Sequence, residues 1–233
     1  MRHVILAGVL ALLPVVAGAG DDCTEDAMIV FDGSGSMAEM GFNAIGAPRI
    51  GEARDAVRQA LPQIAAMRRL GLVIYGPSGD RTCRNVELKL EPQWQADGPI
   101  IAEVEGLDPA GGTALTEAVR LAAETLKYRE KPGAVVLVTD GKETCGGTPC
   151  QMAAEFAREA PGLTVHVIGF KVRGDHWDWG NPEAEGVSVA RCLAEDTGGQ
   201  YVNAESVDEL VAALRVTLGC NVFGALTTDP RLR

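Results

Sequence analysis

Basic residues are in short supply. The chain carries 21 Lys and Arg against 32 Asp and Glu, a net charge of −11 at pH 7. Nucleic-acid binding needs a basic footprint and docking on anionic lipid needs a polybasic patch, so both are excluded. The charge otherwise bears on solubility and long-range repulsion. Histidine is rarer still: His3, His166 and His176 do not cluster. Cys145-x4-Cys150 falls within loose finger spacing, but no paired His or second close Cys pair accompanies it, which argues against zinc. Past the N-terminus no apolar run approaches the roughly 20 residues of a membrane span. Also absent are a Gly-x-x-x-x-Gly-Lys-Ser/Thr phosphate loop, a Gly-x-Ser-x-Gly elbow, internal repeats, low-complexity segments and an interdomain linker. The 233 residues suffice for one domain with a sizeable core.

What is present begins with an export signal. Arg2 and His3 give a basic start, residues 4–16 an apolar stretch and Ala17-Gly18-Ala19 a cleavage site, so residues 1–19 are expected to be removed. The apolar stretch is interrupted by Pro14 and is short for a permanent anchor. Cys23 follows Asp21-Asp22 rather than small residues, which argues against a lipoprotein. The mature chain is therefore expected to be exported, periplasmic or secreted, without membrane insertion. An even set of six cysteines fits disulfides in that setting. Fifteen connectivities exist for six cysteines. Sequence proximity favours Cys145–Cys150, the ends of the domain favour Cys23–Cys220, and Cys83–Cys192 remains.

After the signal, strand and helix patterns alternate. Residues 27–32 form an apolar run, and residues 50–67 repeat Ile50, Ala53, Val57, Leu61, Ile64 and Ala65 at helical spacing. Pro62 predicts a kink or an early end in that helix. A buried strand follows at 70–75. Residues 86–90 alternate apolar and charged side chains, as an edge strand with one wet face does. Helices are predicted at 99–107, 113–126, 151–159, 187–197 and 207–218, and strands at 135–139, 163–170 and 200–203. This rhythm implies one doubly wound α/β domain over 25–218: a central, mostly parallel sheet with one antiparallel edge strand and helices on both faces. Residues 219–233 are a short tail.

Three oxygen-rich loops follow predicted elements of this pattern. Asp32-Gly33-Ser34-Gly35-Ser36 sits at the end of the first strand, Gly111-Gly112-Thr113 precedes a helix, and Asp140-Gly141 ends a later strand. Each alone is ordinary cap and turn chemistry. Together they place two carboxylates and three hydroxyls at the edge where open α/β sheets bind ligands, and hard oxygen donors suit a hard divalent cation. The second acid that phosphoryl-transfer chemistry needs is missing, because position 34 is Ser. A Mg²⁺-dependent hydrolase, and a metal that only ties loops together, remain as alternatives to binding.

The order Asp-x-Ser-x-Ser, Thr on a glycine loop, Asp at a strand end resembles the metal-ion-dependent adhesion site (MIDAS) of von Willebrand factor type A domains. The stretch from Glu143 to Cys150 resembles exported bacterial members. The resemblance implies a divalent cation, Mg²⁺ or else Mn²⁺ or Ca²⁺, held by Asp32, Ser34, Ser36, Thr113 and Asp140. It implies no catalysis, but a protein partner whose Asp or Glu completes the coordination. Around this face the candidate contacts are Met37 and Phe42 in the loop after the serines, Glu143 beside Asp140, and Trp177 and Trp179 after the strand at 163–170; exposed apolar and Trp side chains are common interface anchors.

Overall fold

In the computed structural model, which describes residues 25–40, 46–77, 83–172 and 188–219, the apolar runs become strands of one sheet. They are β1 (Ala27–Asp32), β2 (Leu70–Tyr75), β3 (Val86–Gln93), β4 (Gly133–Thr139), β5 (Leu163–Phe170) and β6 (Tyr201–Ala204). The sheet order is β3-β2-β1-β4-β5-β6. All neighbours are parallel except β2 and β3, which pair antiparallel. The expected edge strand is β3, and its alternating burial leaves one face wet.

The helices are α1 (Arg49–Ala65), α2 (Asp97–Glu105), α3 (Leu115–Thr125), α4 (Pro149–Glu159), α5 (Ser188–Thr197) and α6 (Val207–Leu218). The two-residue period of a strand sends β1 side chains alternately to two cores. Ala27, Ile29 and Phe31 pack with α1, α2 and α6, whereas Met28 and Val30 pack with α3, α4 and α5. β1, β2 and β4 are buried along their whole length because helices cover both faces. Pro62 is accommodated in the last turn of α1, which runs only to Ala65. At the bottom of the sheet Arg68 donates to the carbonyls of Glu25 (2.9 Å) and Leu218 (3.1 Å), so the first and last described segments meet there.

The disulfides correct the pairing expected from sequence proximity. Cys83 is bonded to Cys145, and Cys150 to Cys192. Cys145–Cys150 fails because Cys150 lies in the first turn of α4, against α5, which carries Cys192. Cys145 lies upstream in the loop and meets Cys83 just before β3. The expected Cys23–Cys220 bridge lies outside the described residues.

His166 on β5 is half-buried, and its Nδ1 accepts the Gln200 N–H at 3.1 Å. Burial, with the Arg68 charge second, lowers its pKa to about 4. An unfolded chain protonates the same imidazole near pH 6.5, so stability is full above that pH and falls as pH drops towards 4. The loss is at most about 3 kcal/mol. Urea unfolding of wild type and His166→Gln from pH 7 to pH 4 should show wild type losing about 2 kcal/mol more than the variant. Parallel pH curves would refute the assignment.

Candidate metal centre

The chain leaves β1 towards β2 on one side and returns to β4 on the other, so the strand order reverses between the parallel neighbours β1 and β4. The carboxyl ends of two such strands open a crevice outside the sheet. Asp32 ends β1, and Asp140 directly follows the last residue of β4, Thr139.

Asp32 is fully buried. Its Oδ1 accepts the Ser34 N–H at 2.8 Å, and its Oδ2 accepts the Thr139 hydroxyl at 2.7 Å. Thr139 accepts in turn from the Tyr75 hydroxyl at 3.0 Å. Burial, and then the Asp32 charge, push the Tyr75 phenol well above its usual range, so it stays a donor. This relay from β2 through β4 to β1 fixes the Asp32 carboxylate.

The two serines lie on one side of the loop. Ser34 Oγ and Ser36 Oγ are 3.0 Å apart, and Ser36 donates to Asp140 Oδ1 at 2.6 Å. The loop approaches β2 closely: Gly76 has φ +95°, and a Cβ there would stand 2.5 Å from the Ser34 nitrogen, so a side chain is excluded on both counts. The Gly111–Thr113 loop is stitched on by Ala110 N–H to Gly33 O (2.9 Å) and Gly35 N–H to Gly111 O (3.2 Å). Thr113 is buried and exchanges backbone contacts with Thr144: its N–H donates to the Thr144 hydroxyl at 2.8 Å, and Thr144 N–H donates to its carbonyl at 3.0 Å. Asp32, Ser34, Ser36, Thr113 and Asp140 are thus gathered at one strand edge. Among the described residues no group of three or more His, Cys, Asp or Glu is placed to hold a metal. A cation here would therefore depend on hydroxyl oxygens as well as carboxylates.

Sequence reasoning missed four participants. Thr139, Tyr75 and Thr144 are ordinary strand or loop residues until the sheet aligns them. Arg49, the first residue of α1, carried no local signal because 12 residues separate it from Ser36. It is buried, and its Nη1 donates to Asp140 Oδ2 (3.3 Å), the Ser36 carbonyl (3.2 Å) and Glu39 Oε2 (3.4 Å).

The rim differs from expectation. Met37 is fully buried, not a surface contact, because the 3-10 turn Gly35–Ala38 directs it into the core beneath α1. The carboxylate of Glu143 is engaged within the fold: Oε2 accepts the Thr116 N–H (2.9 Å) and hydroxyl (2.6 Å) at the start of α3, and Oε1 accepts the Cys145 N–H (2.7 Å). Glu143 thus supplies the acidic acceptor that a helix N-terminus favours. Phe42, Trp177 and Trp179 lie outside the described residues.

Residues 27–143 match the von Willebrand factor type A domain. The chain belongs to this family. A relative, the uncharacterized protein YwmD of Bacillus subtilis (strain 168), is 28% identical, the match covering 91% of this chain and 96% of that protein. Three solved structures share the type A fold. An aerotolerance-related membrane protein from Bacteroides fragilis NCTC 9343 is 20% identical at TM-score 0.60, covering 83% of this chain and 98% of that one. The pilus adhesin SpaC from Lactobacillus rhamnosus GG is 18% identical at TM-score 0.60, over 84% of this chain and 30% of its own. Proximal thread matrix protein 1 from the mussel byssus, with a zinc-occupied MIDAS motif, is 18% identical at TM-score 0.55, over 85% of this chain and 46% of its own. In the described part of this type A domain no helix is long and apolar enough to cross a membrane.

Proposed function

We propose that this type A domain is an exported binding module that holds a divalent cation through Asp32, Ser34, Ser36, Thr113 and Asp140 and uses it to grip an acidic side chain of a protein partner. The spacing of the serine and aspartate oxygens carries the reading. Oxygens around an ion the size of Mg²⁺ sit about 2.1 Å from it, so octahedral neighbours lie about 2.9 Å apart. Ser34 Oγ to Ser36 Oγ is 3.0 Å and Ser36 Oγ to Asp140 Oδ1 is 2.6 Å, across segments 104 residues apart in sequence. The donor set fits a hard cation, Mg²⁺ first and Mn²⁺ or Ca²⁺ as substitutes.

A bound cation supplies a Lewis-acidic position that an external carboxylate can occupy. The chain's own residues present that position: the Tyr75–Thr139–Asp32 relay fixes one carboxylate, and the backbone bonds from Ala110 to Gly33 and from Gly35 to Gly111 bring the Thr113 loop beside the serines. The zinc-occupied MIDAS of the mussel protein and the adhesive role of the pilus neighbour support this reading. Disulfides support export, since they persist in oxidising compartments.

The test is affinity capture from an extract of the source cell's envelope, with the chain from Gly20 onward as bait, in Mg²⁺ and in EDTA. A protein held in Mg²⁺ and released by EDTA is the expected result. Equal capture in both would place the contact away from the metal face.

A further inference from the structure

Thr113 offers a neutral hydroxyl, which a cation prefers to water only if the fold already holds it in place. Residues 106–112 carry the chain from the end of α2 to Thr113 without helix or strand. From Leu107 to Pro109, the one hydrogen bond among the described residues is to the Leu107 carbonyl, and its donor is Arg54 Nη2 on α1. The same half-buried guanidinium donates through Nε to the Val104 carbonyl at 3.0 Å. Val104 lies in the last turn of α2, where carbonyls lack a partner within the helix and a cation is favoured. The fork of one guanidinium spans both carbonyls, and so ties the start of the glycine loop to the helix that follows the serines. Leu107 extends this tie to the proposed site. It is buried, and a Cβ on Gly33 would stand 2.9 Å from one of its methyl groups, so Leu107 rests on the bare backbone between Asp32 and Ser34. Three residues on, Ala110 N–H donates to Gly33 O, and Gly35 N–H returns to Gly111 O.

Building on the metal-binding reading above, we infer that Arg54 is a positioning residue of the metal centre, which holds the Thr113 loop against the serine loop through Leu107. It hydrogen-bonds to none of the five proposed ligands. Its bond fixes where Leu107 lies on Gly33, and Leu107 fixes where the glycine loop begins. Arg58, one turn along α1, provides the contrast. It joins the same two helices through Glu105 Oε1 at 2.8 Å, but at the exposed surface and away from Leu107.

The test compares Arg54→Met, Arg54→Lys and Arg58→Met with wild type. Without metal, amide hydrogen exchange at Ala110 and Gly35 should quicken about tenfold in Arg54→Met and keep the wild-type rate in Arg58→Met. Free Mn²⁺, counted by electron paramagnetic resonance, should show binding weakened about tenfold in Arg54→Met and unchanged in Arg58→Met. Arg54→Lys keeps the charge and a donor, and should recover part of the loss. Thr113→Ala should weaken Mn²⁺ by a similar factor. Adding Arg54→Met to Thr113→Ala should cost less than about twofold more, because no hydroxyl is left to place. Wild-type Mn²⁺ affinity in Arg54→Met overturns the inference. So do equal losses in Arg54→Met and Arg58→Met, or a double variant in which the two single losses multiply. If Arg54→Met does not fold, Arg54→Lys is read against Arg58→Met by the same criteria. Absence of Mn²⁺ binding in every form, wild type included, removes the metal reading and this inference with it; Mn²⁺ binding that ignores Arg54 removes the inference alone.

Discussion

Asp32→Ala is expected to abolish Mg²⁺-dependent partner capture and every metal-induced rise in melting temperature, while the apo fold survives. A cation at 100 times its dissociation constant stabilises the native state by about 2.7 kcal/mol. For a domain of this size that is a shift of roughly 5–10 °C. The variant should show none of it. The cost to the apo protein is small because two effects oppose. Losing the carboxylate leaves the Ser34 N–H and the Thr139 hydroxyl without their acceptor, a penalty of about 1–3 kcal/mol. It also removes one of two carboxylates buried at the same strand edge, and with it a repulsion that no metal ion relieves in the apo state. Circular dichroism melts in Mg²⁺ and in EDTA, alongside the capture assay, decide the matter. A variant that no longer responds to metal yet keeps full partner affinity would sink the binding proposal. One that still melts higher in Mg²⁺ would show that the cation sits elsewhere. Asp32→Asn, which keeps the shape and one acceptor, should behave like Asp32→Ala towards metal and like wild type in EDTA.

Cys83→Ser with Cys145→Ser should lower both stability and metal affinity, whereas Cys150→Ser with Cys192→Ser should lower stability alone. The bridges span 62 and 42 residues, and the loop-entropy relation assigns each about 4 kcal/mol. Each double variant should therefore melt on the order of 10 °C lower. The difference in metal affinity comes from placement. A Cβ on Gly112 would stand 3.0 Å from the Cys145 sulfur and 3.4 Å from that of Cys83. The first bridge thus packs against the glycine loop that carries Thr113, and next to Cys145 stands Thr144, which is hydrogen-bonded to Thr113 through backbone and hydroxyl. The second bridge ties α4 to α5, beyond the loop that carries Asp140. Calorimetry with Mn²⁺ titration of both pairs checks this. Equal losses of metal affinity in the two would show that the Cys83–Cys145 bridge has no special hold on the Thr113 loop.

Much of the fold was legible because its signals are short-range. The apolar runs of β1, β2 and β4 are continuous because helices cover both faces. The alternation in β3 marked an edge. Proline and glycine marked most element ends, and α1 ends three residues after Pro62. The five oxygen-bearing residues were legible as three short motifs at strand ends and before a helix. Met37 was misread because the apolar pattern after Ser36 has no period to say which side faces in, and only the 3-10 turn decides that.

By itself, the sequence determined the strand-helix alternation, the antiparallel edge and the donor chemistry of the crevice, since each depends on residues within a few positions of one another. The tertiary structure alone decided which distant groups meet. Cys83 reaches Cys145 rather than Cys192 because β3 starts beside the loop after β4, and Cys150 turns away on α4. Tyr75, Thr139 and Asp32 form a relay only because the parallel register of β2, β1 and β4 ends those strands at one level. Arg49 stands on Asp140 because the start of α1 packs under the crevice, bringing together residues 91 apart in sequence. Contacts of that range depend on how layers stack, and no local spacing encodes them.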